Sequence, residues 1–154
     1  TPLLVQIFIF YYGLPSVGIE LSPITAGILT LTLNVAAYMS ETLRGSINAV
    51  TQGQWMAGTS LGLTRDQTLR YVVGPQALRA AVPSLSNSLI SLIKDTSLVS
   101  VIAVTELMLA TKELISTTFQ PFPLYLAAAA IYWVLSLSFE QIQRWMEKRV
   151  AYPY

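Results

Sequence analysis

Four apolar stretches, at about 3–17, 22–40, 80–108 and 122–140, govern what this chain of 154 residues can become. A helix needs about 20 apolar residues to cross a bilayer core. The second and fourth stretches are near that length, and the first is shorter. The third is long enough to tilt or to run beyond the core. Inside hydrocarbon, backbone N–H and C=O groups must be satisfied within the segment itself, so such stretches read as helices. Composition agrees: 53% of residues are hydrophobic and 11% are charged, against about 25% charged in soluble domains. A soluble helical core would need polar faces that these stretches mostly lack. The expected fold class is all-α, a polytopic membrane helix bundle forming one domain over 1–154.

Basic residues give an orientation. Arg44, Arg65, Arg70 and Arg79 lie in or beside the central segment, and Arg144, Lys148 and Arg149 follow the last stretch. Lys112 lies on the opposite side and Lys94 within a span. The positive-inside rule then puts the central loop and the C-terminus in the cytoplasm, with loops at about 13–22 and 109–122 facing out. Tyr11, Tyr12, Tyr125, Tyr132 and Trp133 read as an interfacial aromatic belt.

Other classes are poorly supported. A net charge of +1 suggests no nucleic-acid partner. With no Cys and no His, disulfides, the usual zinc sites and Cys–His catalysis are closed off. A Ser–Lys dyad from Lys94 with Ser91 or Ser97 rests only on proximity in a serine-rich chain. No GK[ST] loop is present to cradle phosphates, so energy from ATP must come from another chain. No catalytic residue, metal or cofactor is expected.

The central segment, QWMAGTSLGLTRDQTLRYVVGPQALR at 54–79, is more than a connector. Residues 54–61 are helix-compatible, and Gly62 fits the left-handed residue that ends a helix. Thr64 with Gln67 three residues on is a capping box, and Asp66 falls in the first turn, where the helix dipole favours an anion. Arg70 follows one turn later, and Gly74-Pro75 is expected to stop the element. Two short helices around a glycine corner make a docking surface.

These residues resemble the "EAA" loop of membrane subunits of binding-protein-dependent ABC importers. That pattern runs Glu-Ala-Ala, three residues, Gly, nine residues, Ile, one residue, Leu-Pro. Here Met56-Ala57-Gly58 stands in the first triplet, Gly62 follows after three residues, and nine more lead to Val72, Val73, Gly74 and Pro75. The chain departs at Met56, Gly58 and Gly74, and Met56 removes an anion that would face a basic group on the ATPase. TPLLVQIFIFYYGLP at 1–15, AYMSETLRGSI at 37–47, residues 75–107 with Lys94-Asp95-Thr96-Ser97-Leu98-Val99-Ser100, and the tail around FEQIQRWMEKR are similar to the polar amino-acid branch, the histidine, glutamine and arginine type. The resemblance implies a type I importer-like bundle in the cytoplasmic (inner) membrane with a cytoplasmic coupling loop over 53–75. Met56, Ala57, Gly58, Gly62, Leu63, Thr64 and Asp66 would dock on an ATPase subunit. The implied partners are that ATPase, a second permease subunit, an extracytoplasmic solute-binding protein, a polar amino acid and the lipid bilayer. Members usually have five membrane helices, so about one helix and part of another are expected to precede Thr1.

Polar groups inside the apolar spans are the remaining anomaly. Ser84, Ser88, Ser91 and Asp95 are spaced four, three and four apart, which puts them on one helix face with Asn87 at its edge. Asn34, Tyr38 and Glu41 form a shorter stripe before the loop. A charge at the centre of a span costs about 2.5–3.5 kcal/mol, so it should face a partner or water. Asp95, Ser91, Ser88, Asn87, Asn34, Tyr38 and Glu41 are the candidates for a solute path. Two structural alternatives stand beside this: a pair between Asp95 and a neighbouring helix, and an ion pair between Glu41 and Arg44. Permeases of the resembled branch place solute on the Asp95 helix, and many carry an acid where this chain has Ser88, which argues against a strongly cationic site. An ion-coupled secondary transporter using Asp95, or a dimer partner that binds no solute, are the competing functions. The capped central loop, for which a secondary transporter has no use, separates the first of these from an importer.

Overall fold

Prolines shape the helices as much as the apolar residues do. The structure, a computed structural model, describes residues 1–150 with side chains to Lys148; the Arg149 side chain, counted above with the basic tail, lies outside them. The first apolar stretch begins as α1 (Leu3–Phe8), widens into a π turn over Ile9–Gly13 and tightens to a 3₁₀ turn over Leu14–Val17. Gly18 ends it in the left-handed conformation, φ 82°. A second π turn spans Leu69–Val73 between α4 (Arg65–Thr68) and α5 (Gly74–Asp95). Both π turns end two residues before a proline, Pro15 and Pro75. A proline lacks the N–H that the carbonyl four residues back would use, and its ring crowds that carbonyl. A wider turn accommodates both: the N–H groups of Leu14 and Gly74 reach back five residues, to the carbonyls of Ile9 and Leu69.

This corrects one expectation. Gly74-Pro75 does not stop the element; the chain runs on as α5 to Asp95. Gly74 is helical, and a Cβ there would lie 2.7 Å from the Leu69 carbonyl oxygen. A side chain at 74 would therefore crowd this turn, although Leu14 holds the corresponding place in the first one.

Two other elements differ from the reading of the sequence. The apolar stretch 80–108 is not one span. It breaks after Asp95 into a 3₁₀ segment, Thr96–Ile102, which ends at Ala103 with φ 60°. The side chains of Thr96, Ser97 and Ser100 donate to carbonyls three residues back, at 2.6, 2.8 and 2.7 Å, which suits the tighter winding. The expected outer loop at 109–122 is mostly helix, α6 (Leu107–Thr118), capped by the Glu106 carboxylate, which accepts from the N–H groups of Met108 (2.8 Å) and Leu109 (2.7 Å). Only Phe119 and Gln120 separate α6 from α7 (Pro121–Val150). The long helices α2 (Pro23–Ala49) and α7 follow expectation. Among the described residues, these are the two helices long and apolar enough to cross a membrane; Leu3–Val17 is a shorter apolar segment. At 22 residues α5 would span about 33 Å, but serines, Asn87 and an internal Pro83 make it too polar to meet that test.

The described chain divides into two compact units. One comprises Thr1–Ala36 and Leu89–Gln141. Its core is Ile7, Ala26, Val99 and Ile102, flanked by Leu3, Phe10, Leu31 and Leu98. Close approach is made by small residues of α2: a Cβ on Gly27 would lie 3.2 Å from Val99 Cγ1. Thr30 is fully buried and satisfies its hydroxyl on the Ala26 carbonyl at 2.7 Å. The other unit comprises Ala37–Ser88 and the chain from Ile142, and it holds α3 (Gln52–Ser60), α4 and most of α5.

Gly27→Leu should overpack the first unit, at a cost of about 1–3 kcal/mol. A lowered unfolding temperature of the detergent-solubilised protein checks it; an unchanged temperature would show that Val99 does not hold α2 closely.

Candidate functional site

Gly62 turns the chain. It adopts φ 78°, a region that side chains with a branched Cβ resist. The α3 end is closed by two backbone bonds, Leu63 N–H to the Gly58 carbonyl at 3.2 Å and Gly62 N–H to the Thr59 carbonyl at 2.9 Å. This double closure is the Schellman arrangement, which satisfies carbonyls that a helix end otherwise leaves open. The next helix starts at once. Thr64 Oγ1 accepts from the Gln67 N–H (3.3 Å), and the Gln67 side chain accepts from the Thr64 N–H (2.9 Å), so the capping box read from the sequence is present. Asp66 sits in the first turn as expected.

Gly58, expected on the docking surface, is buried instead, and two kinds of residue that sequence reasoning missed brace the corner. Buried Thr68 faces Gly58 across it. Gln76 of α5 donates its side-chain amide to Gln54 of α3 at 3.1 Å and to the Val72 carbonyl at 2.8 Å. Gln54 and Gln76 lie 22 positions apart with no periodic link, so nothing local could announce the pair. Two short helices, two end closures and two cross-braces make a stiff knob.

The knob exposes apolar side chains at α3 and two charged ones, Arg65 and Asp66, at α4. Met56 is 62% and Leu61 80% exposed. No charged residue lies within α3. An open groove of about 570 Å³ runs beside it, lined by Ile47, Asn48, Val50, Gln52, Trp55, Met56, Thr59 and Arg65. Ala57, Leu63 and Asp66 complete the expected loop residues; Leu63 is half-buried and the other two are exposed.

The polar stripe is less uniform than its spacing promised. Asp95 closes α5, half-buried, with no hydrogen bond or ion pair to its carboxylate among the described residues. Ser91 is exposed on the same helix. Ser88 turns its hydroxyl onto the Ser84 carbonyl at 3.0 Å. Asn87 accepts from the Gln143 side chain of α7 at 3.2 Å, and that amide also donates to Glu147 at 2.7 Å. Asn34 donates to Gln6 at 3.1 Å. Tyr38 is exposed, and Glu41 pairs with Arg44 one turn on, the helix-surface alternative weighed above. Asp95 is therefore the stripe's one acid without a partner among the described residues. Ser97 donates to the main-chain carbonyl of Lys94, which is not the geometry of a dyad. Lys112 donates to Ser100 at 3.1 Å, and Tyr132 donates to Glu106 at 2.9 Å, so one belt tyrosine also braces the start of α6. Neither partner follows from sequence spacing.

Residues 1–152 match the family "Binding-protein-dependent transport system inner membrane component". The chain belongs to that family. The L-cystine transport system permease protein TcyB of Bacillus subtilis (strain 168) is 44% identical over 151 residues, covering 97% of this chain and 64% of TcyB. The arginine ABC transporter permease protein ArtQ of Escherichia coli (strain K12) is 44% identical over 132 residues, covering 86% of this chain and 56% of ArtQ. The chain thus spans less than two thirds of either relative. The crystal structure of an amino acid ABC transporter with histidines superposes with a TM-score of 0.91 at 39% identity, over 97% of this chain and 70% of that one. These relatives are permease subunits, in keeping with the expected all-α permease fold and polar amino-acid branch.

Thr64→Ala should remove the half of the capping box in which Thr64 Oγ1 accepts from the Gln67 N–H and cost α4 about 1 kcal/mol, while the backbone N–H at 64 still donates to the Gln67 side chain. Faster amide exchange at Gln67 in the variant checks it; unchanged protection would mean that the Schellman closure and the Gln54–Gln76 brace suffice.

Proposed function

We propose that this chain is a membrane-spanning part of an ATP-driven importer of polar amino acids. Its corner of α3 and α4 docks on a separate cytoplasmic ATPase. A second permease subunit completes the path, and an external binding protein delivers the solute. The observation that carries this reading is the corner itself: two short helices closed by a Schellman turn and a capping box, with Met56 and Leu61 exposed at an uncharged α3. A rigid knob loses little conformational freedom on docking and can pass a push onward. Relatives named for L-cystine and arginine support a polar amino acid as the solute class. The placement of the arginines supports a cytoplasmic position for the corner.

Asp95 has the environment expected of a group that meets solute. It is half-buried, with no hydrogen bond or ion pair to its carboxylate among the described residues. An α-ammonium in transit would supply that partner. Asn87, Asn34 and Glu41 have side-chain partners already, so in this reading they shape the helices around the path. Ser88 and Ser91 offer hydroxyls, and Tyr38 a phenol, along it.

Two variants test the reading in proteoliposomes holding the assembled transporter. Gly62→Val should abolish solute-stimulated ATP hydrolysis, because valine resists φ 78°; wild-type stimulation would defeat the docking role. Asp95→Asn keeps the shape and removes the charge, so uptake should fall several-fold while the complex still assembles. Unchanged uptake and solute affinity would make Asp95 idle. Uptake that needs no ATP and collapses with the ion gradient would favour the secondary transporter instead.

A further inference from the structure

Two glycines four residues apart in the corner serve opposite purposes. Gly62 has a left-handed backbone and nothing within 4 Å of where a Cβ would stand. Gly58 has no such backbone, yet a Cβ there would lie 2.5 Å from Thr68 Cγ2, 2.7 Å from its Oγ1 and 3.1 Å from its Cβ. Gly62 is conformational and Gly58 is steric. Glycine inside a helix weakens it relative to alanine, so the contact with Thr68 is what this position gains.

Thr68 is unusual in turn. It is fully buried, and its hydroxyl has no hydrogen-bond partner among the described residues. Elsewhere in the chain, Thr30 and Thr111 turn the same group onto the carbonyl four residues back, at 2.7 and 2.6 Å. A buried hydroxyl left unpaired is unfavourable, so Thr68 is held by its shape. Branching at Cβ makes that shape stiff. Thr68 is the last residue of α4, and the chain continues from it through the π turn into α5.

We infer that Thr68 is a positioning residue for coupling. Its side chain, seated on the bare Cα of Gly58, sets the angle between α3 and α4 and carries a push on α3 into the helix that becomes α5. The inference rests on the docking role proposed above. Neither residue touches solute or nucleotide; both act through the form of the corner.

A set of variants in the assembled transporter tests it, with solute uptake per ATP hydrolysed as the readout and co-purification of the ATPase as the measure of assembly. Gly58→Ala inserts one methyl group into the contact and should lower uptake per ATP about tenfold. Adding Thr68→Ala removes Cγ2 and Oγ1, leaves only the 3.1 Å approach of Cβ, and should restore most of the loss. Thr68→Val keeps the branched shape without the unpaired hydroxyl and should couple like wild type. Wild-type coupling in Gly58→Ala would overturn the inference. So would a double variant no better than Gly58→Ala, or a Thr68→Val as defective as Gly58→Ala. If Gly58→Ala fails to assemble, recovery of assembly by Thr68→Ala supports the contact, and no recovery overturns it. Gly62→Val separates the two readings: if it keeps stimulated hydrolysis, the docking role falls. If it loses stimulation while Gly58→Ala behaves normally, only the role of Thr68 falls.

Discussion

A polar group in an apolar surrounding must find its partner within the chain, and most of this structure follows from that constraint. Helices meet it for the backbone. Hydroxyls meet it by bending back onto their own helix, as Thr30, Ser46, Ser88, Thr111 and Ser138 do on the carbonyl four residues earlier. Pro15 and Pro75, which cannot donate, follow π turns that move the donor by one residue. The 3₁₀ segment after Asp95 is lined by three side chains that donate three residues back. These are local solutions, and they let apolar side chains face outward over much of the surface.

The loop between α2 and α5 obeys the same rule by other means. Every helix leaves N–H groups at its start and carbonyls at its end without partners, and here side chains and a left-handed glycine close them. The Schellman closure, the capping box and the Gln54–Gln76 bond leave little freedom in the corner. Among the described residues, Thr68 alone is left with an unpaired buried side-chain oxygen. The exception lies where the two helices come closest. That combination, a braced corner with one close contact and one unpaired hydroxyl, is what the proposed coupling role would use.

Membership of the inner-membrane transport family gives this corner its meaning, and the chain's departures refine it. Met56 stands where the resembled pattern has Glu, and it is exposed on an α3 without charge. Gly58 stands where that pattern has Ala, and here Thr68 occupies the space a methyl group would need. Gly74 stands where that pattern has Leu, and a Cβ there would lie 2.7 Å from the Leu69 carbonyl oxygen. Each departure thus has a local physical setting, in which the side chain of the pattern would change charge or collide.

The sequence alone determined the all-helical class, the two long apolar helices, the left-handed turn at Gly62 and the capping box at Thr64. All of these depend on hydrophobic run length or on residues within four positions of one another, so their physics is local. Tertiary structure decided what happens where local signals conflict or distant residues meet. Gly74-Pro75 reads as a stop, yet a π turn carries the helix through it. The stretch 80–108 reads as one span, yet hydroxyls at Thr96, Ser97 and Ser100 tighten it into a 3₁₀ segment that ends at Ala103. Among the stripe residues, Asn87 and Asn34 are engaged by Gln143 and Gln6, 56 and 28 positions away, while Asp95 is not. The approach of Thr68 to Gly58 has the same origin: it depends on how the corner closes in space, and periodicity carries no record of that distance.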